Sequence, residues 1–303
     1  MTDKPRRADK EPYWASAIIA TSSRRADDQL ASDTRSTAEI IATYVNSQRA
    51  DDATNSLATV HYRGGLKEFH AGLELLASTD PVERAAGADV LAQLGWQDHT
   101  FLEESVDALL SALRDQEDSV VQSAIFALGH RASPRAIQAL LAFVDNPSAD
   151  FRYAAVHGLM PHDTPIVVDA LAKLSRDADR DVRNWATFCL GSQFESDSST
   201  LRAALQERLT DSDAEIRGEA LLGLARRHDT SIAPLVLHEL EGEFHGDWAV
   251  EAAGLLGDPQ FLPALRDLCE RLRGEDVVYF RGSVQSAIAA CESRRAEESS
   301  TLQ

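Results

Sequence analysis

The sequence predicts an all-α chain, an α-solenoid of stacked antiparallel helix pairs, and three observations lead there. A short motif recurs in register, a second helical pattern fills the intervals, and proline, hydroxyl and glycine residues mark the junctions. In the motif an apolar residue is followed by Ala four positions on and by a second apolar residue eight positions on. Seven copies start at Val82, Val120, Phe151, Val182, Ile216, Trp248 and Phe280. The fifth place holds Ala86, Ala124, Ala155, Ala186, Ala220, Ala252 and, as the one departure, Val284. The ninth place holds Val90, Leu128, Leu159, Leu190, Leu224, Leu256 and Ile288.

Side chains four and eight apart fall on one face of a helix, because 3.6 residues complete a turn, so each copy is an amphipathic helix. The intervening helices are predicted at Leu66–Ala77, Phe101–Leu113, Pro134–Val144, Pro165–Leu174, Leu201–Leu209, Ile232–Leu240 and Phe261–Leu272. Ser133 before Pro134 and Thr164 before Pro165 combine a hydroxyl N-cap with proline at the first helical position, where the missing N–H has no partner to lose. Gly129, Gly191 and Gly257 stand tenth in their copies and are expected to end helices in the left-handed conformation. Arg63, Gly64 and Gly65 read as a hinge into the Leu66 helix. A pair of short helices has too little mutual surface to be stable alone, so the pairs must stack along one apolar seam.

These elements define residues 36–292 as a solenoid of about seven or eight helix pairs, including an upstream pair at Thr37–Asn46 and Asp51–Tyr62. Residues 1–35 lack periodicity and are expected to be largely disordered, with Trp14, Ile18 and Ile19 as a docking segment. Residues 293–303 read as a polar tail. The net charge of -19, from 30 Lys and Arg against 49 Asp and Glu, argues against nucleic acid as a partner, since phosphate binding needs clustered cations. Three scattered cysteines, Cys189, Cys269 and Cys291, support neither a disulfide framework nor a zinc site and fit a cytoplasmic protein. No apolar run is long enough to span a bilayer, and none marks a signal peptide near Met1.

The run from Asp181 through Val182, Arg183, Asn184, Trp185 and Ala186 to Gly191, echoed from Glu215 to Leu224, resembles HEAT repeats of the short bacterial type. That subclass is also found in phycobilin lyase subunits. The resemblance covers roughly Leu66 to Ala290. It implies a curved right-handed superhelix that binds other proteins, most often without chemistry.

On the motif helix the third and seventh residues point away from the apolar face and are expected to line a concave surface. Phe126, Tyr153, His157 and Phe188, flanked by Trp185, make an aromatic stripe there, where charges are expected on a purely solvated face. With the phase moved by one position, the same rings pack against neighbouring helices instead. Asp and Arg at the helix starts are read as caps and inter-repeat pairs. Acidic residues such as Glu103, Glu104, Glu239, Glu241, Glu243 and Asp247 suit a basic partner or a solubilising face.

Catalytic, metal and cofactor sites are not expected. His157, His162 and the single pair His238 and Glu239 fall short of the matched sets that similar di-iron hydroxylases use, and Cys189 reads as a small core residue. The leading expectation is a non-enzymatic scaffold or adaptor that holds a protein or peptide on its concave face. A phycobilin-lyase-like or other modifying subunit is the alternative by analogy of fold. A DNA-alkylation-repair solenoid ranks third, because a basic groove is missing.

Overall fold

The structure, a computed structural model, describes residues 30–50, 56–242, 247–271 and 278–301. Trp14, Ile18 and Ile19 lie outside the described residues, as does Glu243. Helices alternate with short connections and, among the described residues, no strand occurs. The chain is an all-α solenoid, and its described residues fall in two compact units, those from 30 to 143 with 157–161, and those of 144–156 with those from 162 to 301.

The first unit opens with α1 (Thr37–Ala50) and α2 (Ser56–Arg63), then pairs α3 (Leu66–Leu76) with α4 (Pro81–Ala92), and α5 (Leu102–Ala112) with α6 (Asp118–Arg131). A 3-10 turn at Pro134–Ala136 leads into α7 (Ile137–Leu141), and the unit takes the last turn of α8 (Ala149–Leu159). In this unit α4 packs on α3 and α6, and α6 packs on α5. The second unit holds the rest of α8 and the pairs α9 (Pro165–Leu174) and α10 (Arg180–Phe188), α11 (Ser199–Arg208) and α12 (Ala214–Arg226), and α13 (Ala233–Glu241) and α14 (Trp248–Leu256). It ends with α15 (Leu262–Arg271) and α16 (Val278–Thr301). The motif helices α10, α12, α14 and α16 stack in order, each on its intervening helix. One turn of π-helix, Cys189–Gln193, extends α10.

The apolar seam follows the motif. Val120, Ala124 and Leu128, Val182, Ala186 and Leu190, and Ile216, Ala220 and Leu224 are all fully buried. Burying a Leu or Val of this kind stabilises by about 1.5–3 kcal/mol, and alanine between the larger residues lets the helices approach closely.

The register of the first and last copies is corrected by the structure. Arg152, Arg183 and Arg217 follow the first motif residue and donate from Nη1 to the carbonyl six residues earlier, of Asn146, Asp177 and Asp211. Arg84 does the same to Ser78, so the first copy begins at Glu83 and its ninth residue is the buried Leu91. In the last copy, Ala287 and Cys291 fill the fifth and ninth places and are buried, whereas Ile288 is only half-buried. The departure at Val284 disappears with the shift. The buried face of the first copy is wide enough to take in Ala86 and Val90 as well as Leu91, and a slip of three residues in the last copy keeps nearly the same face, which is why spacing alone does not separate these registers.

Two arginine devices tie neighbouring repeats. Arg84, Arg152 and Arg183 pair with Asp115, Asp177 and Asp211 of the following connection at 2.7, 2.6 and 2.9 Å. Further along the helix, Arg131, Arg227 and Arg294 reach back to the carbonyls of Leu91, Leu190 and Leu256, each the ninth residue of the preceding motif helix. They supply donors to carbonyls that the end of a helix leaves without an intrahelical partner.

Helix starts and ends are made differently from the expectation. Asp80, Asp179, Asp213 and Ser198 cap α4, α10, α12 and α11 with their side chains. Ser133 and Thr164 have the extended backbone of an N-cap and precede Pro134 and Pro165, but neither hydroxyl caps. Of the three tenth-place glycines, only Gly257 is left-handed, with φ at 61°. A Cβ on Gly129 would stand 2.7 Å from the His157 carbonyl oxygen, and one on Gly191 2.7 Å from that of Glu219. These two glycines admit a neighbouring backbone rather than reverse the chain.

Candidate functional site

The seventh place of the corrected motif holds Asp89, Phe126, His157, Phe188 and Leu222, and the fourth holds Ser123, Trp185, Glu219 and Glu251. At these places Asp89, Ser123, Phe126, Trp185, Phe188 and Glu219 are half-buried, whereas His157 and Leu222 are buried. Of the third-place residues expected there, Asn184 and Val250 are buried, and Tyr153 is half-buried on α8.

In the first unit, α6 and the end of α8 set the Phe126 and His157 rings 5.5 Å apart at 47°. Phe126 is half-buried, but His157 is only 6% exposed, and its burial lowers its pKa to about 3. The expected open stripe is corrected here: the His157 ring is a neutral packing element. The same unit holds groups that the spacing did not reveal. Tyr44 donates its hydroxyl to Asp89 Oδ2 at 2.7 Å, and the Ser123 hydroxyl is near enough to favour the charged carboxylate. Burial pushes the Asp89 carboxyl up to about 6, against the pull of these donors. His61 contacts the Asp89 carbonyl at 2.8 Å, and the His130 ring stands 3.4 Å from the Gln93 amide nitrogen. Desolvation holds His61 near 3 and His130 near 4, so both rings are neutral at pH 7.

In the second unit, α10 presents Trp185 and Phe188 edge to face at 5.4 Å and 81°, a favourable geometry for two rings. Both are half-buried. On α12 the Glu219 carboxylate accepts from Trp248 Nε1 at 3.1 Å and from Ser192 Oγ at 2.9 Å. The Trp248 ring lies flat over Gly218, where a Cβ would stand 2.4 Å from the indole. The structure therefore joins Phe126 to His157 and Trp185 to Phe188. The signal for Asp89 was present in the sequence but hidden by the register, and Glu219 and Trp248 needed the packing of α14 on α12.

Cys189 is fully buried with its thiol pKa raised by desolvation, and the Cys291 thiol is pushed up to about 11. Neither is a thiolate at neutral pH. Among the described residues, no group of three or more His, Cys, Asp or Glu is placed to hold a metal ion. No helix among them is long and apolar enough to cross a membrane.

The model of HEAT repeats matches residues 71–160, 106–191 and 168–246, and the chain belongs to the HEAT-repeat family. Protein YibA of Escherichia coli K12 is 27% identical over 232 residues, covering 74% of this chain and 82% of YibA. The crystal structure of Escherichia coli YibA superposes with a TM-score of 0.63 at 23% identity, covering 96% of this chain and 99% of that one. An engineered protein of known structure follows at a TM-score of 0.50 and 17% identity, over 79% of this chain and 74% of its own. The phycocyanin lyase complex CpcE and CpcF from Nostoc sp. PCC7120 is more distant, at a TM-score of 0.44 and 18% identity over 73% of this chain and 94% of that one. At these identities the likeness is one of fold.

Proposed function

We propose that this chain is a non-enzymatic scaffold that holds a protein or peptide against the fourth and seventh places of its motif helices. One observation carries the reading. Within one helix, Val182, Ala186 and Leu190 are fully buried while Trp185 and Phe188 stay half-exposed as an edge-to-face pair, and Phe126 repeats the seventh-place exposure on α6. Rings of this size retained at a surface favour association, since aromatic side chains supply much of the energy at protein interfaces. Tyr153 and His157 belong to the same reading, with His157 supporting Phe126 from beneath.

The test is affinity capture from lysate of the source cells, wild type beside a Phe126→Ala, Tyr153→Ala, Phe188→Ala variant whose folding is checked by circular dichroism. A protein recovered by the wild type and lost from the folded variant is the expected result. Equal recovery by both overturns the aromatic surface as the docking site.

A further inference from the structure

We infer that Trp14, Ile18 and Ile19 of this chain's own N-terminal segment dock in a groove of the first unit between α1 and α3. None of the aromatic residues named above takes part. The two helices run side by side and are tied by polar contacts at both ends. Near their starts Thr37 donates its hydroxyl to Glu68 Oε1 at 2.6 Å, and beyond their ends Arg49 donates from Nη2 to Asp80 Oδ2 at 2.6 Å and to Glu83 Oε1 at 3.4 Å. Between these ties the surface is apolar. Ile41 and Val45 form a buried floor, and Ala38, Ala42, Ala71 and Leu75 line a cavity of about 420 Å³ above it, a volume typical of ligand clefts. Alanine keeps it open. Ala38 and Ala42 are exposed and Ala71 is half-buried, where a close-packed interior fills the space with larger side chains. An apolar hollow rimmed by Arg49, Glu74 and Glu83 marks a place of association.

Chain length and composition name the occupant. Residues 13–23 are uncharged and contain Trp14, Ile18 and Ile19. Leu30, the first described residue, is already buried, and Arg63 donates to the carbonyls of Asp33 and Arg35 at 2.8 Å, so the chain enters α1 pinned to the same unit. Twelve residues separate Ile18 from Leu30 and can span roughly 40 Å. Ala42 is at most about 33 Å from Leu30, since seven extended residues lead to Thr37 and five helical ones lead on from there. The segment therefore reaches the groove, and so short a tether holds it at an effective concentration on the order of mM. Charge favours the approach. Lys4, Arg6, Arg7 and Lys10 outnumber Asp9 and Glu11 ahead of Trp14, in a chain of net charge -19 whose groove rim carries Glu74 and Glu83.

The experiment uses the full chain with Cys269→Ser and follows disulfide closure in a glutathione buffer by mass spectrometry of tryptic peptides. Ala17→Cys is combined either with Ala42→Cys in the groove or with Thr43→Cys, an exposed neighbour turned about 100° away from it. The pair at 17 and 42 is expected to close at least tenfold faster than the pair at 17 and 43. Trp14→Glu, which alters no residue of the groove, and Ala71→Phe, which fills it with a ring, are each expected to remove that difference. Equal closure at 42 and 43, or a preference for 42 that survives either substitution in a variant with the wild-type circular dichroism spectrum, overturns the proposal. Covalent dimers formed in place of the intrachain disulfide overturn it as well, and assign the groove to the segment of a second copy.

Discussion

Arg131 offers the sharpest test of how the repeats are joined. Its guanidinium is 1% exposed and donates to the Leu91 carbonyl at 2.7 Å, the Leu94 carbonyl at 3.3 Å and Ser105 Oγ at 3.2 Å. No carboxylate pairs with it among the described residues, and desolvation lowers its pKa to about 10. Replacing it by Met keeps the stem and deletes the fork. Two carbonyls and a hydroxyl then lose their donor at roughly 1–3 kcal/mol each. Relief of the buried charge returns at most about 3 kcal/mol, the equivalent of the depressed pKa. The net loss is on the order of 0–6 kcal/mol. Arg131→Lys keeps a buried cation without the fork, so it is expected to fall at least about 1 kcal/mol below Arg131→Met. Urea unfolding followed by circular dichroism at 222 nm measures all three proteins. A lysine variant as stable as the methionine variant would refute the argument, because charge rather than fork geometry would then be the stabilising element.

Other consequences follow from the same packing. Leu190→Ala empties a fully buried seam position and is expected to cost about 2–5 kcal/mol, whereas Phe188→Ala, at a half-exposed ring, costs less than half as much; equal losses in urea titrations contradict the assigned surface. Gly218→Ala drives a methyl group into the Trp248 indole and is expected to cost about 1–3 kcal/mol with a changed tryptophan emission, so an unaltered spectrum and stability speak against that contact. Acid is expected to destabilise the first unit. His61, His130 and His157 are neutral in the fold with pKa values near 3, 4 and 3, so the unfolded chain binds more protons below about 6.5. Stability present above pH 6.5 is lost as the pH falls toward 3, by roughly 2 kcal/mol per histidine at pH 5. Asp89, raised to about 6, acts in the opposite sense between pH 6 and 3.8 but is a single group. A urea midpoint that does not fall between pH 7 and pH 5 rules this balance out.

Much of the fold was legible in the residues themselves. The spacing of Val182, Ala186 and Leu190 and its echoes located the motif helices, and Pro165 marked the first residue of α9. The aromatic candidates were found as residues, since Trp185 and Phe188 do pair at a surface. Their surroundings were not legible. His157 was counted as open surface and is a buried ring, and the third place was assigned outward although Asn184 and Val250 turn inward. Helical periodicity gives the direction of a side chain only to within a fraction of a turn, and burial in a stack depends on how closely the next helix comes.

What the sequence determined by itself is therefore the repeating unit, its helix type and its seam residues, all of which follow from residues four or eight apart sharing one face of a helix. The tertiary structure decided the rest: the register of the first and last copies, the role of Gly129 and Gly191 as places of backbone approach, and the meeting of Glu219 with Trp248 across 29 residues. Those features belong to distances between helices. A carboxylate held by an indole, or an arginine closing the end of the preceding motif helix, exists only when two repeats have already packed, and no local pattern encodes that separation.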